Sequence, residues 1–409
     1  MLLPSEISHS FLGFLVALAV AFAPVALRAG DAPSDAKPGD SKALSFPVSY
    51  TGEVLGNLAG GTNRGAIAEG LLNVGVQGDL DKLVGWQGGS FLVSLLDPHG
   101  PSLTDKYVHD FNRVSNIDAY DSVRLYEAWL QQEWADGKFS VRVGQLLADT
   151  EFFVSDNAAL FMNGAFGALP VVSQNLAAAV FPVAAPGVRA RWKATEALSI
   201  QVGAFDGDVG DQATDNKHGV DWRLGRNGGV LALTEVAYAW NGQKGATGLP
   251  GVVKLGAFFR DGGAEEDLEG IPRHTDAGGY VIADQQLWRK PGAEDQGLSA
   301  FARVGGAPDD RNTVPFYADG GFNYKGLLPG REKDVAGLAV SYTKLSKYAC
   351  DDGGNPAEAH HETILEATYK VQVKEWVAVQ PDVQYVFNPG ACTKADNALV
   401  AGIRVNVTF

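Results

Sequence analysis

Along most of this chain apolar and polar positions alternate with a period of two, the signature of strands whose two faces meet unlike surroundings. The final stretch states it most clearly. Leu399, Ala401, Ile403, Val405, Val407 and Phe409 alternate with Val400, Gly402, Arg404, Asn406 and Thr408. The stretch before it does the same, with Val377, Val379, Pro381, Val383, Tyr385 and Phe387 set against Ala378, Gln380, Asp382, Gln384, Val386 and Asn388. The same pattern predicts strands over about 46–58, 68–80, 90–96, 123–134, 139–146, 188–193, 198–205, 230–240, 252–260, 280–288, 298–304, 316–325 and 335–343. Three more follow, about sixteen in all. Residues 135–138 (ADGK) between two of these runs read as a tight hairpin turn.

The connections between strands sort by parity. One set is mostly short: 135–138, 194–197, 291–296 and 373–376. The other is mostly long: about 97–121, 148–187, 206–228, 261–277, 347–361 and 389–396. Residues 241–251 and 307–315 depart mildly from this rule. Short turns on one side and long loops on the other predict an all-β transmembrane antiparallel barrel with short periplasmic turns and long extracellular loops. The aromatic Phe409 closing a long amphipathic strand fits the same picture.

Composition alone allows a large soluble β protein equally well. Mean hydropathy is −0.05, and beyond the N-terminal segment no run of about 18 apolar residues offers a membrane helix. A barrel hides its lipid face in alternation, so a near-zero average is what it requires. The net charge of −15 argues against nucleic acid as a partner. Residues 11–23 (FLGFLVALAVAFA) form the apolar core of a signal peptide. The chain divides into a signal peptide over 1–29, a polar periplasmic tail over 30–45 and the barrel over 46–409. Such a chain belongs in the bacterial outer membrane, with lipid and lipopolysaccharide around it.

Strand parity turns Glu53, Asp79, Arg142, Arg189, Arg191, Lys193, Lys254, Arg303, Asp319, Lys325, Glu366, Lys370, Asp382 and Arg404 inward. A lipid-facing Arg or Lys at mid-membrane would cost about 2–4 kcal/mol, so these side chains belong in the lumen. The loop over 148–187 carries Phe152, Phe153, Phe161 and Phe166, and a loop that long and aromatic is expected to fold into the barrel as a constriction. The candidate residues lining and narrowing the pore are Arg142, Arg189 and Arg191 on the flanking strands, Phe152, Phe153 and Asp156 on the loop, and Trp129. Guanidinium forks offer several donors in fixed geometry to a passing solute, and aromatic faces offer it apolar surface. Phe161 and Phe166 read equally well as anchors of the loop to the wall.

Other chemistries find little support. No Ser–His group with an acidic partner is visible, so no catalytic residues and no enzyme are expected. Six mature histidines fall in predicted loops, and His360-His361 near Asp351 and Asp352 read as solvated rather than as a metal site. Asp206, Asp208 and Asp211 resemble a loose calcium loop without its bidentate Glu. Beyond that weak extracellular calcium candidate, no cofactor is expected. Cys350 and Cys392, the only cysteines, lie in neighbouring predicted extracellular loops and are expected to form a disulfide in an oxidising compartment.

Three stretches carry a family resemblance: residues 124–153 (RLYEAWLQQEWADGKFSVRVGQLLADTEFF), residues 161–170 followed by 181–192 (FMNGAFGALP and FPVAAPGVRARW), and residues 362–390 (ETILEATYKVQVKEWVAVQPDVQYVFNPG). The chain resembles carbohydrate-selective porins of the OprB type across about 46–409. It departs from their hairpin pattern at Gln145, where a Lys is expected. The resemblance implies passive diffusion of small sugars through a water-filled barrel, as a homotrimer or a monomer. A general or ion-selective porin, or a structural or adhesive surface barrel, is the alternative.

Overall fold

The computed structural model describes residues 42–210, 216–225, 228–243, 246–266, 271–293, 295–347, 360–391 and 395–409. The signal segment, most of the tail, both cysteines, Asp211, Asp351 and Asp352 lie outside the described residues. Sixteen antiparallel strands form a closed barrel: β2 (Val48–Gly61), β3 (Gly65–Asp79), β4 (Gly89–His99), β5 (Arg124–Trp134), β6 (Phe139–Leu146), β7 (Ala185–Lys193), β8 (Leu198–Asp206), β9 (Val230–Trp240), β10 (Gly251–Glu266), β11 (Pro272–Arg289), β12 (Gly297–Gly306), β13 (Phe316–Lys325), β14 (Val335–Lys344), β15 (His361–Lys374), β16 (Val377–Phe387) and β17 (Asp396–Thr408). A two-residue strand, β1 (Leu44–Ser45), pairs with β3 beyond the start of β2, so the tail is already part of the sheet before Pro47.

Closure comes from β17 pairing with β2, which places Arg404 directly opposite Glu53. Their side chains form a buried ion pair across the seam. The Phe409 amide donates to the Val48 carbonyl at 2.8 Å, tying the C-terminus to the first long strand. Closure removes every sheet edge, which a bilayer would leave without hydrogen-bond partners.

The outer face is apolar, as the alternation requires. Val143 opposes Val188, Val54 opposes Ile403 and Phe322 opposes Leu338, all exposed to the surroundings of the barrel. Ring pairs girdle the short-turn end: Phe139–Trp192, Tyr238–Trp240, Trp288–Tyr324 and Trp376–Phe409. Tyr342–His361 and Tyr385–Phe387 lie toward the long-loop end. Two aromatic belts flanking an apolar band match the two interfaces of a bilayer. An apolar groove of about 480 Å³ among Trp134, Phe139, Trp192, Ile200 and Val202 sits on this outer face, where lipid belongs.

One expected long loop is not a loop. Residues 261–277 continue the β10–β11 ladder to Glu266 and Pro272, with a register shift between Asp261 and Glu265. The sequence there is mostly polar, so hydrophobic alternation gives no strand signal. The hydrophobic core lies inside the barrel, where two long loops pack against the inner wall.

Candidate pore constriction and vestibule

The loop over 147–184 leaves β6 and runs along the inner wall before returning to β7. Its apolar knobs fill holes left by wall glycines. A Cβ at Gly203 would lie 2.9 Å from the Phe152 ring, one at Gly337 2.6 Å from Leu160 and one at Gly305 2.6 Å from Val171. Phe161 packs on Phe166 and Phe301 at ring-centroid separations of 5.0 and 5.7 Å. Phe152 lies edge-on to Phe205, and Phe153 edge-on to Tyr280. Phe152 and Phe153 are fully buried. Expected as sugar-stacking faces, they pack on the wall instead, Phe152 over Gly203 and Phe153 against Tyr280.

The loop begins at a cluster of charge. Arg142 and Arg189 are direct cross-strand partners, and Arg191 follows on the same inward row. Like charges facing each other repel unless something sits between them. Glu151 does so. Its carboxylate pairs with Arg142, with Arg189 at 2.9 Å and with Arg191 at 3.0 Å. Gln131 accepts from Arg142 at 2.9 Å and from Arg189 at 3.0 Å, and the Ser140 hydroxyl accepts from Arg189 at 2.6 Å. The Arg142 guanidinium stacks 3.9 Å above the Trp129 ring, so Trp129 does face inward. Burial would push the Glu151 carboxyl up, but the three arginines together outweigh it and hold it below the ordinary range. The side chains of Arg142 and Arg189 are 6% and 0% exposed and that of Arg191 is 16% exposed, so Arg191 is the arginine of this group that reaches water.

Farther along, wall charges grip the loop backbone. Glu235 accepts the Phe153 amide at 2.9 Å. Asp284 accepts from the Ser155 hydroxyl and the Asn157 side chain at 2.7 and 2.8 Å. Lys254 donates to the Val154 carbonyl at 2.7 Å. Glu366 accepts the Met162 and Asn163 amides at 2.6 and 3.0 Å. Arg303, paired with Asp319, donates its remaining N–H groups to the carbonyls of Gly167 and Ala165. Asp156 alone among the expected loop contacts is exposed.

A second loop, over 100–123, also folds inward, which hydrophobic alternation gave no reason to expect. Glu362 accepts the Phe111 and Asn112 amides at 2.7 and 3.0 Å, and Gln384 donates to the Val114 carbonyl at 3.0 Å. The two loops are sewn together: Gly164 donates to the Arg113 carbonyl at 2.9 Å and Asn116 to the Met162 carbonyl at 2.7 Å. A Cβ at Gly164 would lie 2.2 Å from the Asn112 carbonyl, so this approach requires glycine.

Between the loops, at the long-loop mouth, lies a cavity of about 920 Å³. Asp105, Arg113, Asp118, Asp121, Asp149, Tyr120 and Phe181 are on its lining. Burial pushes the Asp149 carboxyl up to about 6, against the opposing hydrogen bond from the Phe181 amide. Burial also raises Asp118, although Ser102 and Arg113 oppose it. Gln145 lies outside this site. Its side-chain oxygen accepts the Trp222 indole N–H at 2.5 Å, which covers a polar group on the outer wall. The candidate calcium loop shows Asp206 and Asp208 accepting the amides of Asp208 and Gly210.

With this geometry in hand, comparison with known proteins is informative. Residues 63–409 match the family model described as "Carbohydrate-selective porin, OprB family". Porin B of Pseudomonas aeruginosa is 28% identical over 90% of this chain and 88% of its own length. A putative porin, QuiX, of Acinetobacter baylyi is 22% identical over 90% of both chains. Among solved structures, OprB of Pseudomonas putida at high pH superposes with a TM-score of 0.80 at 26% identity, covering 90% of this chain and 94% of that one. The outer membrane channel DcaP of Acinetobacter baumannii, with a TM-score of 0.55 at 12% identity over 90% of this chain and 97% of that one, shares the fold.

Proposed function

The chain belongs to the OprB family of carbohydrate-selective porins, barrels of the bacterial outer membrane, and from that premise we propose that small sugars cross it by passive diffusion past the loop over 148–187. The observation that carries the reading is that this loop lies inside the barrel, held at intervals by charges of both signs. A loop held this way narrows the lumen without sealing it by an apolar plug, and it leaves polar groups along the remaining path. A sugar needs such a path, because its hydroxyls must exchange water for protein partners at each step. Each contact must also be weak enough to release the sugar.

The arginines divide their labour on this reading. Arg191 and the exposed Asp156 meet the sugar. Arg142, Arg189, Trp129, Phe152 and Phe153 hold the loop in place behind them, as positioning residues. The long-loop mouth faces outside and the short turns face the periplasm.

The test is planar-bilayer conductance and liposome swelling with the full-length protein. A sugar that lowers the ionic current in a concentration-dependent way, and that permeates faster than an amino acid of matched size, is the expected result. Equal permeation of both with no block of current would favour a general or ion-selective porin.

A further inference from the structure

We propose that the cavity between the two in-folded loops is a docking site for neutral saccharides of more than one ring, and that its rim turns away sugar carboxylates and phosphates. The proposal rests on the channel reading above and adds a site ahead of the constriction. Four observations carry it.

The first is size. At about 920 Å³ the cavity is near the upper end of the range of roughly 300–1,000 Å³ usual for small-molecule sites, more than one pyranose ring fills. The second is rigidity. Both loops contribute to the lining, and the contacts between Gly164 and Arg113 and between Asn116 and Met162 fix them to each other. The walls of the site are therefore in place before a ligand arrives, which lowers the entropy cost of binding.

The third is chemistry. Saccharide hydroxyls are good donors, and the lining is rich in acceptors. Asp105, Asp121 and Gln174 are exposed on that lining and offer it carboxylate and amide oxygens. Tyr120 and Phe181 add half-buried aromatic surface at the same site, suited to the C–H edges of a sugar ring. The fourth is charge. Four aspartates face one arginine on the lining, and Arg113 is already shared by Asp118 at 3.1 Å and Asp105 at 3.8 Å. An anionic sugar entering here meets a negative potential that, among the described lining residues, only the already shared Arg113 opposes, whereas a neutral one does not.

The reconstituted full-length protein tests this in two arms. Liposome swelling compares glucose with glucuronate, which share a ring and differ in charge. Glucuronate is expected to enter more slowly, and Asp105→Asn combined with Asp121→Asn should move the glucuronate-to-glucose ratio toward one by roughly fivefold. The ratio is internal to each protein, so yield and barrel number cancel. In the second arm, calorimetry with maltose in detergent should show affinity falling several-fold in Tyr120→Ala and restored in Tyr120→Phe. An unmoved ratio, or maltose affinity indifferent to Tyr120→Ala, overturns the site while glucose flux leaves the channel intact. No glucose flux through the native protein would refute the channel reading itself, and the docking site with it.

Discussion

The two sides of the lumen hold the in-folded loops by opposite means. Near β5–β7 the wall supplies cations and the loop brings a carboxylate, Glu151, which Arg142, Arg189 and Arg191 share. About half way round the barrel, on β15, the wall supplies the carboxylates Glu362 and Glu366. There the loops bring their own backbone amides, from Phe111, Asn112, Met162 and Asn163. The first grip is an ion cluster, strong and dependent on one residue. The second is spread over several donors and uses no acidic or basic side chain of the loop.

The largest effect is expected where one residue serves three partners. Glu151→Ala would take from three close guanidiniums the carboxylate they share, and removing one partner of a buried ion pair typically costs about 3–5 kcal/mol. The loop should detach at this end. Single-channel conductance should rise, sugar block should weaken, and chymotrypsin should cut at Phe161 or Phe166 in folded barrels. If conductance and protease resistance both stay at native values, the cluster does not hold the loop.

The amide grip predicts a smaller and more graded response. Glu366→Ala strands the Met162 and Asn163 amides, at a cost of about 1–3 kcal/mol for each buried donor left unpaired. Glu366→Gln keeps one acceptor for them and places an amide donor beside Asp382, one of whose carboxylate oxygens lacks a partner. Protease sensitivity should therefore follow the order Glu151→Ala, then Glu366→Ala, then Glu366→Gln. Equal sensitivity of the two Glu366 variants would mean that charge, and not hydrogen bonding to the amides, secures the loop on this side.

That contrast also explains what was legible in the sequence. The strands were, because every one that crosses the bilayer must show lipid an apolar row; β5, β6, β9, β13 and β14 lie within a residue of their expected bounds. The polar extension of β10 and β11 was not, because outside the bilayer neither face needs to be apolar. The loop over 148–187 carried a signal in its length and its phenylalanines. Glu151 was missed, although an acid shortly after a strand holding Arg142, beside a strand holding Arg189 and Arg191, was a usable signal. The amide grip had no signal to find, since a backbone N–H is the same at every residue but proline. Alternation therefore marks Glu366 only as a lumen-facing charge, although it accepts the Met162 and Asn163 amides. The first loop was missed for the same reason. Its Val108, Val114 and Ile117 are buried, but their spacing follows neither strand nor helix.

The smallest effect separates the two grips by pH. Asp110 sits on the first in-folded loop, where the Thr104 hydroxyl donates to one of its oxygens at 2.7 Å and the other has no partner. Burial, followed by the nearby Glu362 carboxylate, pushes its carboxyl up to about 8. In an unfolded chain such a group ionises near 4. Between those values the native state holds a proton that the unfolded chain has lost, so this residue's contribution to stability falls as pH rises through the window, and is level below and above it. Glu151 behaves oppositely. Its depressed pKa stabilises the native loop above the ordinary carboxylate range, and that contribution is lost as pH falls through the depressed value. Asp110→Asn is neutral at every pH, keeps an acceptor for Thr104 and can donate toward Glu362. Its loop should resist chymotrypsin no better than the native one at pH 4, and measurably better at pH 8. A benefit of the same size at both pH values, or a loss at pH 8, would show that Asp110 is already ionised in the native protein and that the first loop is held as an ion cluster too.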